Sequence, residues 1–112
     1  MITVSHQEFE KFIDEGIASL PERYVDHLQN IAFIIEEDPS EEQRQRLQLQ
    51  PYQTLFGLYE GVPLSQRQGM TKLLPDKITI YQHPLQQASA NIEELREKIR
   101  HTVWHEVAHI AP

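Results

Sequence analysis

Toward the end of the chain, Ile92, Leu95, Ile99, Val103 and Val107 recur at steps of three or four residues. That spacing lays an apolar stripe along one side of a helix, and such a stripe must be buried against other elements. Asn91 stands where a side-chain oxygen can cap the first turn, and Glu94 follows three residues later. A chain of 112 residues has room for one modest core, so the sequence reads as a single domain, 1–112, organised around this helix.

The rest of the chain supplies the elements that could cover the stripe. Ser5 and Glu8 have capping-box spacing and open a first helix, with Phe9, Phe12, Ile13 and Ile17 at helical intervals. Pro21 suits the first turn of a second helix, expected to run to about Asn30 with Val25 and Leu28 facing inward. Ile31 to Ile35 is a short apolar run closed by Glu36-Glu37-Asp38-Pro39, which predicts a buried strand. Ser40 to Gln50 is polar and reads either as a surface helix capped by Ser40 or as a loose connection. Thr54 to Tyr59 is a second strand candidate with Gly57 inside it, where glycine marks a bulge or a close backbone approach. Ser65 to Thr71 reads as an exposed loop. Lys77 to Tyr81 alternates Ile78 and Ile80 with Thr79 and Tyr81, the pattern of a strand, and Pro84 is expected to start a short helix. Helices mixed with two or three strands make an α+β domain the expected class.

Composition limits the function. The formal net charge is -7, which argues against nucleic-acid partners, because these demand clustered Lys and Arg to displace counterions from phosphates. The same balance argues against an anionic membrane surface. No stretch approaches the roughly 18 apolar residues of a membrane span. The first ten residues lack the pattern of a secretory signal, so a cytoplasmic location is expected. With no cysteine, a transition-metal site would have to use imidazole and carboxylate.

Such a site is spelled out on the last helix as His105-Glu106-Val107-Ala108-His109. Histidines four apart lie on one helical face, one turn apart, and can hold a single metal ion together. Glu106 is rotated about 100° from His105 and can reach toward a water at the metal rather than ligate it. Zinc accepts imidazole nitrogen and acidifies a bound water, and Glu106 is then the general base that takes its proton and passes it to a leaving amine. The pattern also arises by chance, and histidines on a helix are often plain surface residues. The capped amphipathic helix and the small apolar residues between the histidines favour the metal site. His101, His105 and His109 form a stripe, but His101 and His109 are about 12 Å apart along the axis and cannot share one ion. His101 is expected to be exposed or to stand behind a ligand. His6 and His27 are expected to face solvent, and His83 to lie in a loop.

The chain resembles a bacterial family of minimal zincin-like metallopeptidases. The resemblance runs through Leu20-Pro21-Glu22, the segment from Asn30 to Pro39, Leu55-Phe56-Gly57-Leu58-Tyr59-Glu60-Gly61-Val62-Pro63-Leu64, the segment from Leu74 to Tyr81, and Thr102 to His109. It implies a small sheet packed against the metal-bearing helix, zinc as the metal, His105 and His109 as ligands and Glu106 as base. Related chains continue past the motif with an acidic stretch expected to give a third ligand, whereas here Ile110-Ala111-Pro112 follows. Three explanations are open: a truncated chain; a third ligand from elsewhere, such as Asp76, His83, a neighbouring molecule or the terminal carboxylate; or a weak or lost site.

Two functions from different classes follow. One is a zinc-dependent peptidase that holds a peptide or an unstructured protein segment against a sheet edge, Ile31 to Ile35 or Thr54 to Tyr59, with Tyr59 or Tyr81 available to an oxyanion. The other is a non-catalytic protein that keeps the scaffold to bind peptide or metal, including a metal clip that only stabilises the fold. Neither substrate specificity nor oligomeric state is written in the sequence.

Overall fold

A computed structural model describes residues 1–61 and 75–110, with the side chain of Ile110 left aside. Helix α1 (His6–Ala18) is followed by a 3-10 turn (Glu22–Tyr24) and the four-residue α2 (Val25–Leu28). Strand β1 (Ile31–Glu36), α3 (Glu41–Arg46), β2 (Gly57–Glu60), β3 (Asp76–Tyr81), α4 (Gln82–Gln87) and α5 (Ile92–Ile110) complete the order. The expected loop at Ser65 to Thr71 lies outside the described residues.

The three strands form one mixed sheet in the order β1-β3-β2, with β3 in the middle, parallel to β1 and antiparallel to β2. The register places Phe33 beside Ile78 and Ile35 beside Ile80, with Tyr59 and Gly57 on the other side of the same two residues. This face is covered by the helices. Ile78 and Ile80 are buried with Phe9 and Ile13 of α1, Leu85 of α4, and Leu95, Ile99, Val103 and Val107 of α5. The expected stripe of α5 is therefore the floor of the core, apart from Ile92, which is 42% exposed at the helix start. Asn91 caps α5 as its sequence predicts, its Oδ1 accepting from the Glu94 amide at 2.8 Å. Ser5 caps α1 by accepting from the Glu8 amide at 3.1 Å.

The opposite face of the sheet carries Thr79 and Tyr81, and α3 is tied to it through Gln43. Ser40 and Gln43 make a reciprocal capping box on α3. The same Gln43 Oε1 accepts from the Tyr81 hydroxyl at 2.7 Å and from the Ser40 amide at 3.0 Å. Of the two readings of the segment from Ser40 to Gln50, the capped helix is the one present, and it stops at Arg46.

Four expectations need correction. Strand β1 lies at an edge of the described sheet and is half-buried at every position rather than buried. The second helix is broken into a 3-10 turn and a single α turn, and Val25 is 49% exposed instead of inward. A four-residue turn cannot present a continuous face, so helical spacing loses its meaning there. Strand β2 begins at Gly57, three residues later than the run from Thr54 suggests. Helix α4 starts at Gln82, so His83 lies in this helix rather than in the expected loop, and Pro84 sits inside the first turn, where its missing amide proton costs no intrahelical bond.

Candidate metal centre and substrate cleft

The last two turns of α5 carry the site, and the helix fixes its geometry. His105, Glu106 and His109 each offer a ligand atom, and these atoms all lie within 4.8 Å of one another. Both imidazoles are exposed, whereas Glu106 is only 8% exposed. The difference follows from rotation about the helix axis. Val103 and Val107 point into the core, Glu106 lies at the edge of that buried face, and the histidines project outward.

The Nε2 atoms of His105 and His109 face each other at 3.4 Å, with the rings edge-on at 83°. Two nitrogens bound tetrahedrally to one zinc ion at about 2.0–2.1 Å would stand about 3.3–3.4 Å apart. The pair is thus preset to the separation that zinc requires, and imidazole is a donor that zinc accepts. The Glu106 carboxylate has no hydrogen-bond or ion-pair partner among the described residues. A buried-edge carboxylate without an internal partner is available to a water in front of it.

Strand β2 lies against α5 at Gly57. A Cβ at that position would lie 2.8 Å from Thr102 Cγ2 and 3.2 Å from Glu106 Cγ. A Cβ contact of 2.8 Å is essentially never seen and one of 3.2 Å is tight, so any larger residue here would force Thr102 or the strand to shift, and glycine lets the strand lie directly against the helix. Of the two readings of Gly57, close approach is the one realised. A cleft of about 220 Å³ opens there, lined by Phe56, Gly57, His101, Thr102, His105 and Glu106. His101 is exposed and stacks on His105, with ring centroids 6.5 Å apart and an interplanar angle of 13°.

The other residues singled out by sequence fall elsewhere. His83 Nδ1 lies 3.1 Å from Asp38, and the His83 amide donates to Glu37 O, which ties α4 to the end of β1. Asp76 accepts a hydrogen bond from the Tyr59 hydroxyl at 2.9 Å. Neither Asp76 nor His83 joins the metal-capable group. Tyr81 is fully buried on the far face of the sheet, where its hydroxyl is spent on Gln43, so it cannot serve an oxyanion. His6 and His27 are exposed, as expected. Thr102 and Phe56 are the site residues that sequence reasoning missed. Thr102 sits one turn before Glu106, which is the available signal for it, but only the approach of β2 turns that turn into a wall.

Among the described residues, no helix is long and apolar enough to cross a membrane. No curated protein matches the chain. The sequence does match the zincin-like metallopeptidase family over residues 28–111, three quarters of its length, a span that contains all three strands and α5 but not α1. With an α+β fold of three strands against the helix that bears the two histidines, the chain belongs to the zincin-like metallopeptidase family.

Proposed function

We propose that this protein is a zinc-dependent peptidase in which His105 and His109 hold the metal and Glu106 is the general base. The observation that carries the reading is the Nε2 separation of 3.4 Å beside a carboxylate with no partner among the described residues. Zinc, when bound, supplies a Lewis acid that makes water acidic near neutral pH and polarises an amide carbonyl. The chain's own residues do the rest. Glu106 takes the proton from the attacking water and returns it to the departing amine, so one carboxylate serves as base and then as acid. Burial of its stem beside Gly57 and Thr102 restricts where its oxygens can go, and that supports positioning rather than free rotation. The substrate is a peptide or an unstructured segment laid in extended form along β2. This strand lies at the edge of the described sheet and is the edge nearest the histidines.

The alternative is a protein that binds metal or peptide without turnover. It is favoured by one observation: among the described residues, the metal-capable group holds no side chain besides His105, Glu106 and His109. Residues 62–74 contain no His, Asp or Glu and add none. Zinc held by two side chains would leave its remaining positions to water or to a ligand from elsewhere.

Elemental analysis of the untagged protein beside His109→Ala tests the metal, and Glu106→Gln tests the base. About one zinc per chain, lost in His109→Ala, is expected. Glu106→Gln is expected to keep the zinc and to lose peptide hydrolysis by roughly 10²- to 10⁴-fold. Undiminished cleavage by Glu106→Gln removes the assigned base. Zinc uptake without cleavage of any peptide in a broad library selects the binding-only reading.

A further inference from the structure

We infer that the outer edge of β1 docks an extended segment of another protein that carries a Lys or Arg side chain, with the stem of that side chain between β1 and α1 and its cation at Glu10 and Asp14. This surface is separate from the proposed metal and from the proposed cleavage. Strand β3 stands between β1 and β2, so β1 lies about 10 Å, two strand spacings, from the strand that packs on Glu106.

The backbone sets the first condition. Strands β1 and β3 are parallel with Ile31 beside Asp76, and the Asp76 amide donates to Asn30 O at 2.9 Å. In a parallel ladder, alternate residues turn their peptide groups to the same side. Asn30, Ala32, Ile34 and Glu36 therefore face β3. The N–H and C=O groups of Ile31, Phe33 and Ile35 face outward and have no partner among the described residues. Edge strands are commonly blunted by a lysine, a proline or a bulge. Ile31 to Ile35 contains no charged residue and no proline, and its register with β3 runs unbroken. It is an open template for one more strand.

The side chains choose the occupant. Between β1 and α1 lies a cavity of about 250 Å³, lined by His6, Glu10, Ile13, Asp14, Phe33 and Ile35. Ile13, Phe33 and Ile35 are its apolar part. Its polar part is one side of α1, where His6, Glu10 and Asp14 follow one another at steps of four. Glu10 and Asp14 are exposed, and neither has an ion-pair partner among the described residues. No Lys or Arg among the described residues lines the cavity. A strand added beside β1 projects every second side chain onto this face. Lys and Arg join an apolar stem, which covers Phe33 and Ile35, to a cation, which reaches Glu10 and Asp14. Glu36 and Glu37 add negative charge at the end of the strand. Two copies of this chain, each with a net charge of -7, would bring these like charges together, so a basic partner is favoured over self-pairing.

Blocked peptides of alternating Thr and Val with one central residue (Arg, Lys, norleucine or Glu) are titrated into the full-length protein, with and without added zinc. Binding is followed through backbone amide shifts. The Arg and Lys peptides are expected to move the Ile31, Phe33 and Ile35 signals, to leave Gly57 unmoved, and to bind about fivefold more tightly than the norleucine peptide at low salt. Zinc is expected to make no difference. The double variant Glu10→Gln, Asp14→Asn is expected to lose the preference for Arg and Lys while still binding the norleucine peptide, which also reports that it is folded. Methylation of the peptide amides that face β1 is expected to abolish binding. Equal affinity for the Arg and norleucine peptides overturns the proposal, as does a preference that survives the double variant or undiminished binding of the methylated peptide. No binding by any peptide at millimolar concentration overturns it too. Shifts confined to Gly57 and α5 would place the peptides at β2, which removes the β1 site and leaves the peptidase reading standing. Shifts of Ile31, Phe33 and Ile35 that grow with protein concentration alone would give the edge to a second copy and remove the basic partner.

Discussion

A methyl group at position 57 would meet Thr102 Cγ2 at 2.8 Å and Glu106 Cγ at 3.2 Å. Gly57→Ala is therefore expected to push β2 away from α5, at a cost of about 1–3 kcal/mol from overpacking. A urea melt measures the cost. Zinc content should survive, because both proposed ligands lie on α5, whereas cleavage should fall with the displacement of Glu106. Full activity and unchanged stability in this variant would mean that the contact is slack. Tyr81 answers a different question at the same scale. Tyr81→Phe removes the hydroxyl that Gln43 accepts inside the fold, and a loss of about 1–3 kcal/mol is expected with no change in zinc content. That Gly57 marks either a bulge or a close approach was legible in the sequence, because glycine inside a strand pattern has few other uses, but the choice between the two was not. Its neighbours Thr102 and Glu106 were not legible, since sequence spacing carries no information about contacts between elements some 45 residues apart.

Among the elements, α5 was the easiest to foresee and β2 the hardest. An apolar stripe sustained over four turns, with Asn91 in capping position, allows one orientation, and Leu95, Ile99, Val103 and Val107 are all fully buried. The central strand was legible for a related reason, since Ile78 and Ile80 alternate with Thr79 and Tyr81. Strand β2 has only four residues and starts on a glycine, so neither alternation nor propensity fixes its beginning. The two histidines and Glu106 were legible because helical geometry alone brings them together. A third metal ligand would come from a different element, where periodicity gives no guidance, and neither Asp76 nor His83 fills that place. The weight carried by α5 can be measured. Ile99→Ala should cost about 2–5 kcal/mol through the cavity it leaves. Asn91→Ala should cost about 0.5–2 kcal/mol through the lost cap. Parallel urea midpoints separate the two, and the reverse order would mean that the helix is held by its end more than by its face.

For the molecule as a whole, pH and the proposed metal are the two handles on stability. Burial, reinforced by the carboxylates of Glu36 and Glu60, pushes the Tyr81 hydroxyl from its usual 10 up to about 12, while the Gln43 hydrogen bond and Arg46 pull the other way. The unfolded chain releases this proton first, so between about pH 10 and 12 the folded state binds more protons and stability falls as pH rises. The contribution is complete below pH 10 and amounts to about 2–3 kcal/mol. Denaturant titrations at pH 9 and pH 12 should show the loss in the wild-type protein and a smaller one in Tyr81→Phe. The proposed zinc would act through mass action. At a concentration 100 times its dissociation constant it should add about 2.7 kcal/mol. That should raise the melting temperature of the wild type by several degrees and leave His109→Ala unchanged.

The two imidazoles belong to one helical turn, while the cleft beside them is closed by a strand from far upstream in the chain. One ability is written locally and the other is not, so the two need not fail together. If the sheet edge loosens first, as the short β2 suggests, mild urea is expected to silence the proposed cleavage at a concentration where the proposed zinc is still held. An inactive preparation with full metal content would then be a molecule with the two imidazoles in place and the strand beside them gone.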